Sequence, residues 1–263
     1  MAVPTLGGAQ LWAARRWRAG WRVQQNVLTG HHRLLDPSDR RHAFGSLEEC
    51  ASRLSALPTG PARLVVLLHG LGRTRRSLRG MADALGAAGH AVALLDYPST
   101  RRPIEDHVAQ VVDLVSHLEG VSELSFVTHS LGGVVARGVL AQLPPRVAAR
   151  RLVMLAPPST GASLARILHG QLGLLFGAVM GPAGAQLAKG PPVPAPGVPF
   201  LVVAGGTGAG GHNPLLEGDD DGIVTVEETK LAGMAEHVVV DAIHTFVMDH
   251  PEARAAALRF LSA

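Results

Sequence analysis

A serine, an aspartate and a histidine, each placed after an apolar stretch of the chain, carry the functional groups of nucleophilic catalysis. Ser130 lies in "THSLGG", Asp221 in "GDDDGIV" and His244 in "IHTF". A serine hydroxyl becomes a good nucleophile only when a neighbouring base takes its proton, and that base needs a carboxylate to fix its tautomer. The chain order Ser, Asp, His is one of those in which such triads occur. The three residues therefore predict a nucleophile, its acid partner and a general base.

The segment around Ser130 departs from the usual nucleophile motif Gly-x-Ser-x-Gly at one position, where Thr128 replaces the first glycine. The motif needs small residues two before and two after the serine, because strand and helix approach closely there. Gly132 keeps the second position, and Gly133 adds a further small residue. Threonine is small and suits the end of a strand. We expect a Thr-x-Ser-x-Gly turn; the alternative is that Ser130 is an ordinary helix N-cap.

Several other acidic residues compete for the role of triad acid. Asp219 and Asp220 adjoin Asp221, and the sequence predicts that they form a solvated or turn-forming edge of the same loop. Asp241 lies three residues before the histidine and is a second alternative. Asp96 precedes the serine in the chain, so its order is wrong for this arrangement.

Six continuous apolar runs without alternation predict strands that are covered on both faces of a parallel sheet. Helical spacing, such as Ile104, Val108, Val111, Val115 and Leu118, fills most of the gaps between them. Alternating strands and helices predict an α/β fold with a mostly parallel sheet and helices on both faces. The runs are "RLVVLLHG", "HAVALLDY", "ELSFVTHS", "RRLVMLAPP", "PFLVVAGG" and "EHVVVDAI".

We expect one domain at 61–263, preceded by an extension at 1–60 that packs on it. The extension begins with a Trp- and Arg-rich segment that we expect to be helical, with peripheral membrane contact as the alternative. An antiparallel hairpin around Thr29-Gly30 and a helix in "SLEECASRLSAL" follow.

An insertion at about 161–197 lies between two predicted strands and is longer than an ordinary connection. It has no formal charge between Arg166 and Lys189 unless His169 is protonated, so a membrane span is one interpretation. Glycines, glutamines and Pro182 dilute its apolarity, and a span would interrupt the sheet. We expect instead an apolar flap that acts as a lid over a site.

The composition excludes several classes of protein. The chain has 263 residues, 47% of them hydrophobic, and a formal charge of only +3, which is too weak for a nucleic-acid surface. Cys50 is the only cysteine, so no internal disulfide forms.

The basic residues of the first segment follow its apolar part, so we expect no cleavable signal, and a cytoplasmic or peripheral membrane location. Oligomeric state stays open.

From about Arg63 to Phe246 the sequence resembles the α/β-hydrolase superfamily. Within it the chain is similar to the bacterial lipase and esterase branch, which includes triacylglycerol lipases and GPI-inositol deacylase-like proteins. The resemblance implies that Ser130 is the nucleophile, Asp221 the triad acid and His244 the general base. The stretches that carry it are "HGLGRT", "DYPST", "THSLGG", "MLAPPSTG", "DDGIV" and "HTF".

The resemblance also implies an oxyanion hole formed by the backbone amides of Leu71 and Leu131. Leu131 follows the nucleophile at a helix N-terminus, where amides are free and the dipole favours negative charge. The expected activity is hydrolysis of carboxylic esters, plausibly acyl lipids, through an acyl-enzyme and without a cofactor. The alternatives are an acyltransferase with the same triad and a non-catalytic binding protein with the same fold.

A rival class rests on "GTGAGG" at 206–211, which matches the dinucleotide motif Gly-x-Gly-x-x-Gly after a strand. The sequence that follows is acidic and broken by proline, so no helix N-terminus is expected there for a pyrophosphate. We interpret the segment as a flexible loop that carries the acid. His69 and His129 flank the predicted site, and we assign neither of them proton transfer. The histidines show no paired spacing of metal ligands, so no metal is implied.

Overall fold

The computed structural model describes residues 3–4, 10–172, 174–190 and 193–263. The first five strands form one antiparallel sheet in the order 1-5-4-3-2. They are β1 (Val3–Pro4), β2 (Trp12–Arg18), β3 (Trp21–Asn26), β4 (His32–Leu35) and β5 (Arg40–Gly45).

The β3–β4 pair confirms the hairpin predicted around Thr29-Gly30. The helix predicted for the Trp- and Arg-rich segment is wrong, because β2 and β3 form a second hairpin there. Its loop is Ala19-Gly20, and both residues have a positive φ, 47° and 83°. Two-residue loops of that conformation match the twist of antiparallel strands, so the turn favours strands over a helix.

The three tryptophans of this segment pack within the protein. Trp17 is buried in the main core, and the guanidinium of Arg33 lies 3.6 Å from the ring centre of Trp12. Trp21 packs on a small core between the N-terminal sheet and the helix α1 (Leu47–Ser55). That helix confirms the predicted one. Peripheral membrane contact by this segment stays a prediction.

A six-stranded sheet forms the centre of the protein, and all its neighbouring strands are parallel. The strands correspond to the six apolar runs, which confirms the predicted parallel sheet. They are β6 (Arg63–Leu68), β7 (Val92–Leu95), β8 (Glu123–His129), β9 (Ala148–Leu155), β10 (Phe200–Gly206) and β11 (Glu236–Asp241), in the spatial order 11-10-9-8-6-7.

Helices cover both faces of this sheet. On β6, Leu64, Val66 and Leu68 belong to one core, whereas Val65 and Leu67 belong to the core on the opposite face. Successive side chains of a strand point to opposite faces, so two-sided burial explains the unbroken apolar runs. The first face packs on α3 (Ile104–Val115) and α4 (Leu131–Leu140), and the second on α2 (Arg79–Ala87) and α8 (Pro251–Ser262).

The insertion predicted at 161–197 contains two helices, α5 (Ser163–Leu172) and α6 (Leu174–Lys189). A kink interrupts α6 at Gly181, which has a φ of 71° and precedes Pro182. Among the described residues, no helix has both the length and the apolarity to cross a membrane. A short helix, α7 (Val226–Thr229), and β11 complete the path from β10 to α8.

Candidate active site

The structure brings Ser130, His244 and Asp221 together at the carboxyl edge of the central sheet. Ser130 lies between β8 and α4, and His244 follows β11. The Nε2 atom of His244 is 3.0 Å from the Ser130 hydroxyl oxygen, and its Nδ1 atom is 2.7 Å from Oδ2 of Asp221. Because the carboxylate can only accept, Nδ1 carries the proton and Nε2 is free to accept the serine proton.

The turn at Ser130 holds that residue in an unusual conformation, with φ 51° and ψ −122°. Its N–H donates to the carbonyl of Leu155 on the neighbouring strand, at 2.9 Å. A side chain at Gly132 would overlap the carbonyl oxygen of Leu68, so the second glycine of the motif is sterically required. Strained conformations of this kind persist at functional sites because the surrounding structure maintains them.

The unusual Thr128 is fully buried at the end of β8. Its hydroxyl donates to the carbonyl of Val153 on β9, at 3.1 Å. The Thr128 side chain therefore adds a hydrogen bond between β8 and β9 at the position where the standard motif has glycine. The turn at Ser130 remains intact.

The Asp221 carboxylate is oriented by its own loop. It is 1% exposed, and its Oδ1 atom accepts from the amides of Val224 and Ile223, at 2.8 and 3.0 Å. The amide of His244 donates to the carbonyl of Asp221, at 2.7 Å, so backbone and side chain both connect the two residues. The other oxygen, Oδ2, is thereby directed at the imidazole.

The neighbouring aspartates organise the loop and do not contact His244. Asp219 accepts from the amides of Thr207 and Gly208, at 2.7 and 2.9 Å. Asp220 is fully buried and accepts from the amide of Gly222, at 2.6 Å. Both are therefore turn-forming, and Asp220 is not solvated. The "GTGAGG" segment is held against them, and it leads into turns, with no helix at its end.

The remaining acidic candidates lie elsewhere. Asp241 is exposed and approaches His212 at 3.6 Å. Asp96 is buried and accepts from Gln24 and from the backbone of Arg75, at 2.8 and 3.2 Å. Burial raises the pKa of the Asp96 carboxyl, and the guanidinium of Arg75 opposes that rise. Within the described part of the chain, no three His, Cys, Asp or Glu side chains cluster as metal ligands.

The two candidate oxyanion donors lie in turns on either side of the serine. Leu131 is the first residue of α4, where an amide has no acceptor within the helix. Leu71 lies in the turn after β6, which the Ser99 hydroxyl supports by accepting from the amide of Gly72 at 3.0 Å. Gln10 supports the same turn by donating to the carbonyl of Arg73, at 2.7 Å.

The two flanking histidines are neutral supports. Burial lowers the pKa of His69 to about 4; its Nδ1 donates to the Gly70 carbonyl at 2.9 Å, and its ring stacks on Tyr97. Burial holds the pKa of His129 well below its usual range, and the neighbouring His244 lowers it further. The Nε2 atom of His129 donates to the backbone carbonyl of His244, at 2.9 Å. His129 therefore positions the candidate base.

A cavity of about 340 Å³ opens beside Ser130. The insertion supplies most of its apolar wall, and among the described lining residues Arg73 alone has a formal charge at neutral pH when the histidines are neutral. The wall residues from α5 and α6 are Leu164, Ala165, Leu168, Met180, Gly184 and Leu187.

Sequence reasoning missed three residues of the site, Gln10, Ser99 and Arg73. Ser99 lies within "DYPST" and Arg73 within "HGLGRT". Both stretches carry the family resemblance, but the motifs assign no role to these two residues. Gln10 stands in a segment without any recognisable motif, so no signal in the sequence distinguishes it.

A described protein family matches part of this sequence. Residues 59–161 match the family described as "Putative serine esterase (DUF676)". The matched segment contains Ser130, Leu71 and Leu131, and it ends before Asp221 and His244. No curated protein matches the sequence at a significant level.

Solved structures of lipases and esterases have the same fold. The mature lipase BlEst2 of Bacillus licheniformis superposes with a TM-score of 0.61 and 17% identity, covering 78% of this chain and 94% of its own. An esterase from Thermogutta terrifontis has a TM-score of 0.55 and 17% identity, covering 78% and 91%. The phospholipase PlaB of Legionella pneumophila has the same TM-score and identity, covering 79% of this chain but 60% of its own.

These likenesses and the topology of the sheet identify the α/β-hydrolase fold. The chain thus has the α/β-hydrolase fold that the motifs predicted. The family and structures that it matches are described as esterases and lipases.

Proposed function

We propose that the protein is a serine hydrolase that cleaves carboxylic esters of acyl chains. The observation that carries the proposal is the continuous hydrogen-bond path from Asp221 through His244 to Ser130, at 2.7 and 3.0 Å. A path of this kind is what makes a serine hydroxyl nucleophilic at neutral pH. The matched family description and the esterase and lipase folds support the same reaction class.

In the proposed reaction, His244 Nε2 takes the proton of Ser130 as its oxygen attacks the ester carbonyl. The amides of Leu71 and Leu131 donate to the resulting oxyanion, and Asp221 stabilises the imidazolium. The imidazolium then protonates the leaving alcohol, and an acyl-enzyme forms. Water, deprotonated by the same imidazole, attacks the acyl-enzyme. The imidazolium returns that proton to the Ser130 oxygen as the acyl–oxygen bond breaks, and the carboxylic acid is released.

The apolar cavity supports an acyl chain as the group that becomes attached to Ser130. Its volume of about 340 Å³ lies at the lower end of the range of small-molecule sites, which suits a single chain. The insertion would act as a lid over that chain. A hydrogen bond connects the C-terminal part of α6 to α3, because the Oε1 atom of Gln186 accepts from the amide of Ile104 at 2.7 Å.

A fluorophosphonate probe tests the reaction type. We expect covalent labelling of the wild type, and its loss in Ser130→Ala, whereas Ser159→Ala keeps the label as a control for a second buried serine outside the hydrogen-bond path. A folded wild-type protein that never reacts with the probe, and never hydrolyses esters, would refute the proposal in favour of a binding protein.

A cavity-filling substitution tests the acyl-chain assignment. Leu168→Trp should lower kcat/KM for p-nitrophenyl octanoate at least tenfold and leave p-nitrophenyl acetate within about twofold. Val179→Trp is the matched control, because Val179 lies on the same insertion but is 71% exposed. Equal losses on both esters would show that the chain binds elsewhere.

A further inference from the structure

Arg73 places a positive charge at the wall of the candidate active site, and none of the described carboxylates pairs with it. It lies in the turn after β6 and lines the cavity beside Ser130. Its one described side-chain hydrogen bond is a long one, 3.5 Å from Nη1 to the carbonyl of Thr245. Arg73 differs in this respect from Arg75 and Arg76, which both form ion pairs with Asp39.

The partner of its side chain locates the charge relative to the reaction. Thr245 follows His244 directly, so the guanidinium lies on the side of the imidazole. The imidazolium donates its proton to the oxygen of the leaving alcohol, so the alcohol part of an ester lies on that side too. The proposed function places the acyl chain against the apolar wall from α5 and α6. With the ester in that orientation, the cavity is apolar where the acid part binds and cationic where the alcohol part binds.

We propose that Arg73 binds an anionic group, a phosphate or a carboxylate, on the alcohol part of the ester substrate. A guanidinium presents several N–H donors in a planar fork that matches both groups. Its weak tie to a single carbonyl leaves most of these donors available to a ligand. This inference rests on the proposed function. It narrows the substrate class from acyl esters in general to acyl esters of alcohols that carry a phosphate or a carboxylate.

Three esters with the same acyl chain test the proposal, namely the octanoyl monoesters of glycerol, glycerol 3-phosphate and glycerate. They are used as monomers in solution, so that membrane binding does not contribute. We expect the wild type to have at least a tenfold higher kcat/KM for one or both anionic esters than for the neutral one. The better of the two anionic esters distinguishes phosphate from carboxylate recognition.

Variants of Arg73 separate binding from positioning. Arg73→Met should lower the ratio of kcat/KM for the preferred anionic ester to kcat/KM for the neutral ester about tenfold, which corresponds to the loss of one charged hydrogen bond. Arg73→Lys should retain part of the preference. Arg63→Met is the matched control, because Arg63 begins β6 at the end opposite the turn that carries Arg73, and its side chain is 82% exposed.

Two results would overturn the inference. One is a wild type that hydrolyses the neutral ester as well as both anionic ones. The other is a uniform loss on all three esters in Arg73→Met and Arg73→Lys, which would make Arg73 a positioning residue of the turn. Failure of the proposed function is a different result, since hydrolysis of all three esters would then survive in Ser130→Ala.

Discussion

Gln10 provides a sharp test of how the turn that carries Leu71, the proposed oxyanion donor, is held in place. Its Nε2 atom donates to the carbonyl of Arg73, and its Oε1 atom accepts from the hydroxyl of Ser99 and from the amide and hydroxyl of Thr100, at 2.9 to 3.1 Å. Ser99 in turn accepts from the amide of Gly72. One side chain thus joins the turn after β6 to the loop after β7.

We predict that Gln10→Ala lowers kcat for esters by about 10- to 100-fold. A lost oxyanion donor costs about 3 to 4 kcal/mol of transition-state stabilisation. The turn keeps its support from Ser99, so we expect about half of that cost. The unmade hydrogen bonds at Thr100 and Ser99 should also lower the free energy of unfolding by about 2 kcal/mol.

The assay compares kcat and KM on p-nitrophenyl butyrate with the thermal unfolding temperature. Gln10→Glu keeps the acceptor oxygens and loses only the donor, so its kcat should lie between those of Gln10→Ala and the wild type. Leu54→Ala destabilises the small core under α1, far from the turn, and controls for a general loss of stability. A Gln10→Ala protein with a lowered unfolding temperature and a wild-type kcat would refute the reasoning.

Three further predictions concern the strand-turn-helix at Ser130, called the elbow, the buried histidines, and the ionic cluster that Asp39 forms with Arg22, Arg75 and Arg76. Thr128→Val should unfold about 1 kcal/mol more easily than the wild type, since one hydrogen bond is lost, and keep its esterase rate; Thr128→Leu should lose activity, and an active Leu variant would contradict the tight fit of the elbow. Burial lowers the pKa values of His69 and His107 to about 4 and that of His129 well below its usual range. The unfolded chain binds protons at these sites near pH 6.5, whereas the folded chain does not. The free energy of unfolding is therefore greatest above that pH, and it falls by up to about 1.4 kcal/mol per histidine for each pH unit between about 6.5 and the folded pKa. Urea unfolding at pH 7 and pH 5 measures this fall, and equal free energies of unfolding would contradict it. Asp39→Asn should lower the free energy of unfolding by about 3 to 5 kcal/mol, because buried arginines lose their counterion, and a urea midpoint like that of the wild type would count against this cluster as a stabilising element.

The apolar runs of the sequence were sufficient to predict the central sheet. A strand such as β6 that is buried on both faces needs apolar residues at every position, so it stands out from all other parts of the chain. The strand ends then pointed to Ser130 and His244, because ligands bind at the carboxyl edge of a parallel sheet.

The hairpin of β2 and β3 shows where local sequence patterns were insufficient to predict the structure. Residues 12–26 have few apolar residues in strand alternation, and the bulge between Ala14 and Arg16 shifts the register. The short Ala19-Gly20 turn decides for strands, and its positive φ values appear only in the folded chain.

Composition, motifs and the family resemblance thus pointed to the fold class and to Ser130, Asp221 and His244 of the candidate site. The orientation of Asp221 toward His244, the support by Gln10 and the place of Arg73 at the cavity wall were decided by the tertiary structure. The reason is physical: each of these roles depends on contacts between residues far apart in sequence, such as Gln10 with Ser99 and Asp221 with His244. No local pattern of residues encodes such contacts, because only the packed loops at the edge of the sheet bring their polar atoms within hydrogen-bond distance.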